Sequence, residues 1–450
     1  MTLLDQLFGV EAVQQIFSDH SRLQRMLDFE AALAKAEAQI GVIPASAVAS
    51  IQAKCRADLL DLKAIAQDAA AAGNLAVPLI KQLTALVAAD DEKAAGYVHW
   101  GATSQDAIDT GLILQLRDAL AVIEKDLADL GEILVSLIEQ HRDTPMVART
   151  WMQHAVPTLF GLQVAGWLDA LDRHQARVQE IKKRTLVLQF GGAAGTLAAL
   201  GDRGLDVAKA LAEELNLALP DMPWHSHRDR IAEVATTLAL CAGTLGKIAR
   251  DIALQMQTEI SELDTKSRGG SSTMPHKRNP VSAAVALAAA IRVPGLTSTM
   301  LAAMVQEHER GLGGWHAEWD TLPEIVQLTA GSLHHMLETV KGLKVNTGRM
   351  LENLEQTQGL IFAEAAKMAL AKQIGRDAAH KLIDAASRRV VAEHKHLRIV
   401  LTGDPAVTTH LSAAEIDALF DPLHYTGTAH QFMDRVLATH QQLGRKADRK

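Results

Sequence analysis

The stretch "SQDAIDTGLILQLRDALAVIEKDLADLGEILVSLIEQH" occupies residues 104–141 and carries a very long regular pattern. Large apolar residues recur every three or four positions, at Ile108, Leu112, Leu116, Leu120, Ile123, Leu127, Leu130, Leu134 and Leu137. This spacing is the period of an amphipathic α-helix, and no proline interrupts it. At 1.5 Å per residue such a helix is about 55 Å long. The stretch therefore predicts an elongated helical bundle.

The same period recurs in four later stretches, which cover residues 158–188, 229–264, 281–310 and 318–343. Pro294 is expected to kink the third of them, because proline removes a helical hydrogen bond. No convincing run of alternating strand residues is present, so we predict an all-α fold. The central helices exceed the usual helix length several-fold, and their apolar faces are broad. We therefore expect the chain to associate with copies of itself.

Shorter helical patterns flank the long ones on both sides. The first hundred residues are broken by "GVIP" and "AAGNLAVP", and the tail is rich in turns such as "TGDP" and "DPLHYTG". We therefore predict three helical domains: an N-terminal domain over residues 1–100, a central long-helix bundle over 101–350, and a C-terminal domain over 351–450.

Composition excludes several classes of protein. The chain has 450 residues, 48% hydrophobic and 22% charged, with a formal net charge of −8. These values are ordinary for a soluble globular protein and do not indicate a nucleic-acid surface. Cys55 and Cys241 form neither a metal-binding spacing nor a disulfide framework, which favours a reducing, cytoplasmic location and no metal. No signal peptide and no uninterrupted apolar run of about 18 residues is apparent, so no membrane partner is expected.

Polar residues cluster where the long helices begin or end. In "HWGATSQD" (residues 99–106), Thr103 and Asp106 are spaced almost as a capping box, but hydroxyls before a helix also suit an anion. In "ARTWMQHAVPT" (148–158), polar side chains surround Trp151, so the stretch is either an inter-helix turn with an aromatic plug or a functional loop.

Two other stretches resemble functional motifs only superficially. The glycines of "QFGGAAGTLAALG" (residues 189–201) follow no strand, and their spacing matches neither the Rossmann nor the P-loop pattern. We therefore interpret them as a tight turn where chain segments approach closely. His225 and His227 in "WHSHRDR" lack the companions of a metal site, which favours a structural or surface role.

The stretch "GGSSTMPHKRNP" (residues 269–280) is expected to be neither helix nor strand, because it is rich in glycine and proline. Its hydroxyl, ammonium and amide groups suit an anionic substrate. Lys277 can hold a carboxylate and Asn279 can donate to it. A serine close to a cation and backbone amides can have a lowered pKa and act as a base. The adjacent Ser271 and Ser272 are both candidates for this base.

"GSSTMPHKRNP" resembles the signature loop of the fumarase/aspartase superfamily. "GATSQD", "RTWMQHAVP" and "MQTEISE" agree with the same family and lie in the family's order. The resemblance implies an all-α homotetramer with a twenty-helix core and active sites built from three subunits. It also implies addition or elimination, without cofactor or metal, at a carbon next to a carboxylate of a small-molecule substrate.

The resemblance assigns roles to individual residues. Ser271 matches the general base, and Lys277 and Asn279 match the ligands of the substrate carboxylate. The residues that we predict to bind substrate are His99, Thr103, Ser104, Arg149, Thr150, Trp151, His154, Gln257 and Arg310.

Two departures narrow the function. Trp151 stands where fumarases and adenylosuccinate lyases have a histidine, and Trp315, His316 and Trp319 stand where the latter have Ser-Ser and an arginine. Both departures resemble the bacterial carboxymuconate cycloisomerases, a lactonising family that acts on a tricarboxylate made from protocatechuate. The alternatives are an adenylosuccinate or other amino-dicarboxylate lyase and a non-catalytic, crystallin-like scaffold. Trp151 and Trp315 argue against the first alternative, and the intact signature loop argues against the second.

Overall fold

The computed structural model describes residues 4–266, 269–270, 274 and 277–447, and the described chain is predominantly helical. Its α-helices are α1 (Asp5–Phe8), α2 (Glu11–Ile16), α3 (Asp19–Ile40), α4 (Ala45–Lys54), α5 (Leu62–Ala72), α6 (Ala76–Asp90), α7 (Glu92–Ala95), α8 (Ser104–Gln140), α9 (Phe160–Thr185), α10 (Gly204–Leu215), α11 (Asp229–Gln255), α12 (Val281–Ala302), α13 (Gly314–Lys341), α14 (Thr347–Glu355), α15 (Ala363–Ile374), α16 (Arg376–Glu393), α17 (Leu397–Thr402), α18 (Pro405–Thr408), α19 (Ala413–Ala418) and α20 (Ala429–Ala447).

The long helices lie where the periodicity predicts them. The bounds of α8 differ from the predicted ones by a single residue at the C-terminal end, and α9 and α13 differ by a few residues. The predicted ends of α11 and α12 were wrong, because both helices stop well before Asp264 and Arg310. Pro294 lies inside α12 without ending it.

Strands are present, which corrects the expectation that the chain lacks them. β1 (Pro145–Thr150) pairs with β2 (Gln153–Leu159), β3 (Leu263–Thr265) with β6 (Leu343–Val345), and β4 (Gly269–Gly270) with β5 (Arg278–Asn279), all antiparallel. The last two pairs have only two or three residues per strand, too few to show an alternating pattern. The partner of β3 is also distant in sequence, so no local signal could reveal it.

The first of two compact units contains the residues up to Leu127, His174–Gly246 and Val285–His335. Helices α3 and α4 pack against each other in it, and α10 packs on α3. Its apolar core joins α3, α4 and α6 through buried residues that include Leu23, Leu27, Ile51, Leu79, Leu83 and Val87.

The second unit contains Ala128–Arg173, Lys247–Ala284 and the chain from Met336 onward. Helices α15 and α16 pack against each other there, and α14 packs on β1. A core of this unit is formed by residues that include Leu370, Ile383, Val390, Val400, Leu401 and Ile416. The division of the sequence into three domains at about residues 100 and 350 stays a prediction.

Cys55 and Cys241 are both buried and form no disulfide. Burial raises the pKa of both thiols, that of Cys241 to about 12. Both cysteines are therefore protonated at neutral pH and behave as small apolar core residues.

By length and composition alone, the described residues contain two helices that could cross a membrane, α11 and α12. Lys247 interrupts α11 and Arg292 interrupts α12, so neither helix contains an uninterrupted apolar run of about 18 residues. Core helices of soluble proteins pass the same test, and 61% of the α11 window is buried against the rest of the chain.

Candidate active site

One buried carboxylate fixes the start of α8. Asp106 is fully buried and accepts hydrogen bonds from the backbone N–H groups of Thr103 (3.0 Å), Gly191 (3.0 Å) and Gly192 (2.9 Å). The Nε2 atom of His225 lies 2.7 Å from its Oδ1 atom. The bond to Thr103 is half of the predicted capping box. Asp106 thus joins the loop before α8 to a glycine turn and to the segment before α11.

The glycine turn confirms the expected close approach of chain segments. A Cβ atom on Gly191 would lie 2.8 Å from the Pro223 side chain, and Gly192 has a φ of +68°. A larger residue at either position would push the backbone away from Asp106. His225, only 4% exposed, has the structural role that the sequence favoured.

Thr103 and Arg310, both predicted to bind substrate, are in direct contact. Arg310 donates from Nη1 to the Thr103 hydroxyl oxygen over 3.0 Å and from Nη2 to the Ala193 carbonyl over 3.1 Å. The Thr103 hydroxyl proton stays available for another acceptor, because the oxygen accepts the bond from Arg310. Ser104, the first residue of α8, is half-buried next to Thr103.

His99 is held by a buried acid. Its Nδ1 atom lies 2.7 Å from Oε1 of Glu30, which is 1% exposed. Its backbone is in the left-handed region, with a φ of 58°. Burial alone would lower the pKa of His99, but the Glu30 carboxylate outweighs it and the net direction is upward. This contact fixes one nitrogen of the ring and favours the protonated imidazolium.

A buried ionic network lies near the start of α8, and the sequence pattern alone did not predict it. Arg228 donates to both carboxylate oxygens of Asp109 (2.7 and 3.1 Å) and of Glu318 (the shortest contact 2.6 Å), and all three side chains are about 1% exposed. Trp315, 4% exposed, donates its indole N–H to Asp109 over 3.0 Å. Trp315 is therefore a core residue of this network. The signal available in the sequence was two acids, Asp109 and Glu318, at otherwise apolar helical positions.

The neighbouring departures from the adenylosuccinate lyase pattern form one aromatic cluster. The ring of Trp319 lies 4.9 Å from that of Trp315 and 4.6 Å from that of His316, measured between centroids. The His316 ring meets Trp319 at an inclined angle and bonds through Nε2 to the Gly73 carbonyl. Packed aromatic rings thus occupy the positions where adenylosuccinate lyases have Ser-Ser and an arginine.

Of the two alternatives for the stretch around Trp151, the inter-helix turn with an aromatic plug is wrong, because the stretch forms a β-hairpin. Trp151 and Met152 form its two-residue turn, with φ angles of 52° and 64°. Positive φ at both central residues matches the right-handed twist of paired strands. Trp151 is 97% exposed and Met152 71%. The indole is thus presented at the tip of the hairpin and plugs nothing within the described chain.

Three predicted substrate-binding residues line one cavity of about 400 Å³ in the second unit, namely Arg149, His154 and Gln257. The same cavity contains the ion pair between Lys247 and Asp251. Arg149 and His154 are paired across the hairpin. Burial and the positive charge of Arg149 lower the pKa of His154, whose Nδ1 atom is buried without a partner among the described residues. His154 is therefore neutral at neutral pH.

Arg149 is itself paired with a carboxylate. Its Nη2 and Nη1 atoms donate to the two carboxylate oxygens of Glu262 over 2.7 and 3.0 Å. Thr150, the next residue, is exposed. Arg149 therefore already has an ionic partner within this chain, which the sequence did not anticipate.

The signature loop is described in part. Ser271 and Ser272 lie outside the described residues. Lys277 is exposed, and its backbone N–H donates to the Met274 carbonyl over 3.0 Å. Asn279 is half-buried and pairs with Gly269 between β4 and β5, so the expectation that this stretch contains no strand was wrong.

Sequence comparison identifies the family. A family model described as "Lyase" matches residues 9–295, and one described as "Adenylosuccinate lyase C-terminus" matches residues 359–436. This chain belongs to the fumarase/aspartase superfamily. Its all-α lyase fold and its nature as an enzyme follow from that membership.

Several superfamily relatives resemble this chain along almost its whole length. A 3-carboxy-cis,cis-muconate cycloisomerase of Pseudomonas aeruginosa is 56% identical, with 98% of this chain and 97% of the relative covered. One from Bradyrhizobium diazoefficiens is 54% identical, with 97% of each covered. The crystal structure of 3-carboxy-cis,cis-muconate lactonizing enzyme from Pseudomonas putida matches with a TM-score of 0.95 and 53% identity, covering 98% of this chain and 99% of that one.

The candidate residues of this superfamily member fall into separate groups. The start of α8 brings Thr103, Ser104 and Arg310 together in the first unit. The hairpin and the end of α11 bring Arg149, His154 and Gln257 together in the second. In the part of the chain that the structure describes, no group of three His, Cys, Asp or Glu side chains is arranged to hold a metal ion.

Proposed function

We propose that this chain is a 3-carboxy-cis,cis-muconate cycloisomerase, which closes a tricarboxylate diene to 4-carboxymuconolactone. The observation that carries the proposal is the 56% identity, along 98% of the chain, to a curated enzyme of that name. The reaction breaks no bond to a departing amine or water. It therefore has no need of the histidine that Trp151 replaces.

The nucleophile is a carboxylate of the substrate. Its reference pKa is about 4, so it is ionised near neutral pH and needs no protein base. One of its oxygens bonds to a carbon of a double bond in the same molecule. The π electron pair moves to the other carbon, which lies next to another carboxylate. The protein's part in this step is to hold the diene so that the oxygen meets the correct carbon.

The new carbanion is stabilised by delocalisation into the adjacent carboxylate, which becomes a dianion. Donors that are already in place stabilise such charge without reorganisation. We assign this role to Lys277 and Asn279, a cation and an amide two positions apart. Thr103 and Ser104 donate to another carboxylate of the substrate, and His99 is favoured as a cation there by Glu30.

The carbanion then takes one proton, which completes the lactone. By the resemblance, Ser271 matches the residue that removes the corresponding proton in eliminating relatives. The same group delivers the proton when the reaction runs as an addition. The Ser271 hydroxyl is therefore the proposed donor, and solvent restores its proton.

We also propose a homotetramer with a twenty-helix core and active sites shared between subunits. The exposed tip residue Trp151 supports this, because an indole at 97% exposure needs a pocket to shape a substrate. Ile291 on α12 is 75% exposed, and Val305 and Leu312 beyond that helix are 83% and 86% exposed. Apolar side chains exposed to this extent favour burial against another subunit. A cytoplasmic location, without cofactor, metal, nucleic-acid or membrane partner, is part of the same proposal.

The test is an ultraviolet assay with 3-carboxy-cis,cis-muconate, in which closure removes the absorbance of the conjugated diene. Wild-type protein should consume the diene and give the lactone, identified by NMR. The Ser271→Ala variant should be slower by about 10²–10⁴-fold, the usual loss when a proton-transfer group is removed. Cleavage of adenylosuccinate without closure of the diene would overturn the proposal in favour of an amino-dicarboxylate lyase.

The assembly is tested separately by sedimentation. A tetramer at micromolar concentration is expected. A stable monomer at that concentration, with full activity, would contradict the shared active site.

A further inference from the structure

Glu262 is a carboxylate of the second unit that several groups hold in place. It is fully buried, and its carboxylate accepts two bonds from Arg149 and one of 2.8 Å from the Asn353 side chain. Its main chain is fixed as well. Its N–H donates to the Gln255 carbonyl, and its carbonyl accepts from the Asn346 N–H, both over 2.9 Å.

The position of Glu262 explains why α11 ends early. The apolar period of this helix continues in the sequence to Leu263, yet the helix stops at Gln255. The chain then turns, with Ser261 in the left-handed region at a φ of 54°, and Glu262 enters the interior. A buried carboxylate is unfavourable unless it is paired, and apolar replacements of buried ion pairs are often equally stable. Stability of the fold alone therefore does not account for this pair.

The other partner, Arg149, lies where the strand register of the hairpin shifts. A bulge interrupts the strand register between Val147 and Arg149. Beyond the bulge, just two register pairs support the tip: Arg149 with His154, and Thr150 with Gln153. A two-stranded ribbon needs further contacts for stability, and Trp151 and Met152 at its tip are themselves exposed. The orientation of Trp151 and Met152 therefore depends on what holds Arg149.

We propose that Glu262 is a positioning residue, which through Arg149 holds Trp151 and His154 of the hairpin in their active arrangement. Its effect on turnover rests on the proposed cycloisomerase function. Its effect on His154 does not, because that effect follows from the charges alone. Asn353 supports this arrangement, because its side chain donates to the Glu262 carboxylate and, over 2.9 Å, to the Ile260 carbonyl.

The charges around His154 give a signature that a merely structural role lacks. Arg149 faces His154 from β1, Glu262 lies behind Arg149, and the Lys247–Asp251 pair on α11 lines the same cavity. Arg149 lowers the pKa of His154 and Glu262 raises it. Glu262→Gln leaves Arg149 unopposed, so the pKa of His154 should fall further. Adding Arg149→Gln removes the positive charge that lowers the pKa of His154, so this pKa should rise again.

The experiment compares wild type, Glu262→Gln, the double variant with Arg149→Gln, and Arg349→Gln. Arg349 is the matched control, because it binds the carbonyls of Glu259 and Ile260 in the same segment without reaching the Glu262 carboxylate. Glu262→Gln should lower kcat between about tenfold and a hundredfold with a smaller change in KM, since small misplacements act mainly on turnover. Arg349→Gln should change kcat less than about twofold, within the range of a peripheral contact.

The second readout is the titration of His154, followed by NMR of isotope-labelled histidine and assigned with His154→Gln. A downward shift in Glu262→Gln and its reversal in the double variant support the proposal even if wild type closes no diene, in which case only the proposed function fails. A folded Glu262→Gln variant with wild-type kcat and an unmoved His154 overturns the inference. An equal loss of kcat in Arg349→Gln overturns it too, because any disturbance of the segment around Glu262 would then lower kcat.

Discussion

Arg228 neutralises two buried carboxylates at once, Asp109 and Glu318. Burial raises the pKa of Glu318, whereas Arg228 opposes that rise, and Asp109 adds to it. The three residues belong to α8, α13 and the turn before α11, so one guanidinium connects three parts of the first unit.

We predict that Arg228→Met destabilises the protein by about 3–5 kcal/mol, because it leaves two carboxylates buried without a cation. Urea denaturation at one fixed protein concentration measures the loss. Arg388→Met, at an arginine that is 72% exposed, should stay within about 0.5 kcal/mol of wild type. Equal losses in the two variants would mean that the network contributes no more than an exposed arginine.

We predict that Trp151 contributes shape rather than proton transfer. We expect Trp151→Phe to keep substantial cycloisomerase activity, because most of the shape remains, and Trp151→Ala to lose more. Neither should add an ionisation between about pH 5 and 8, the range of histidine, whereas Trp151→His should add one. Lactone formation across this pH range is the measurement. A Trp151→Phe variant as inactive as Ser271→Ala would give the indole N–H a direct chemical role.

At the scale of elements, local periodicity predicted the helices and missed the hairpin. The bounds of α8 follow from side chains within one stretch, so they were predictable. The turn of the hairpin has Trp-Met where a two-residue turn favours Asn-Gly, which removed the usual signal. The end of α11 depends on Glu262 meeting Arg149 at a distance of 113 residues in sequence, which no local pattern encodes.

The unusual turn gives a prediction that separates stability from function. Left-handed φ costs about 1–2 kcal/mol for most residues but little for Asn or Gly. Trp151→Asn with Met152→Gly should therefore keep or raise the melting temperature. It should also lower kcat/KM about tenfold or more, since the tip no longer positions substrate. Calorimetry and the diene assay measure the two effects.

Met152→Gly alone is the control for this pair of changes, because it relaxes the turn and keeps the indole. It should retain most of the activity. A fully active double variant would show that the tip takes no part in substrate positioning.

At the scale of the whole molecule, the sequence predicted an all-α fold, whereas the pairing of distant charged groups could not be read from it. The burial of Glu37 on α3 could not be read from the sequence either. This residue is fully buried, and neither carboxylate oxygen has a hydrogen-bond partner among the described residues. Burial raises its pKa from 4.5 to about 9, and the nearby Glu30 carboxylate adds to the rise. The folded chain therefore keeps a proton that the unfolded chain releases.

This retained proton makes stability depend on pH. Between about pH 4.5 and 9 the unfolded chain binds fewer protons at Glu37 than the folded chain, so this residue's contribution to stability falls by about 1.4 kcal/mol per pH unit. We predict that Glu37→Leu removes this dependence, so that it stabilises the protein more at pH 8 than at pH 5. Urea denaturation at both pH values measures the difference. Equal effects at the two pH values would show that Glu37 is ionised in the folded state.

Because both native cysteines are buried, a dye can be attached selectively to the hairpin tip. Cys55 and Cys241 are shielded, and burial keeps their thiols protonated, so a maleimide dye has no reactive native target. A cysteine introduced as Met152→Cys, at a position that is 71% exposed, becomes the single labelling point on each chain. The emission colour of an environment-sensitive dye there then reports directly whether the tip lies in water or in an apolar pocket.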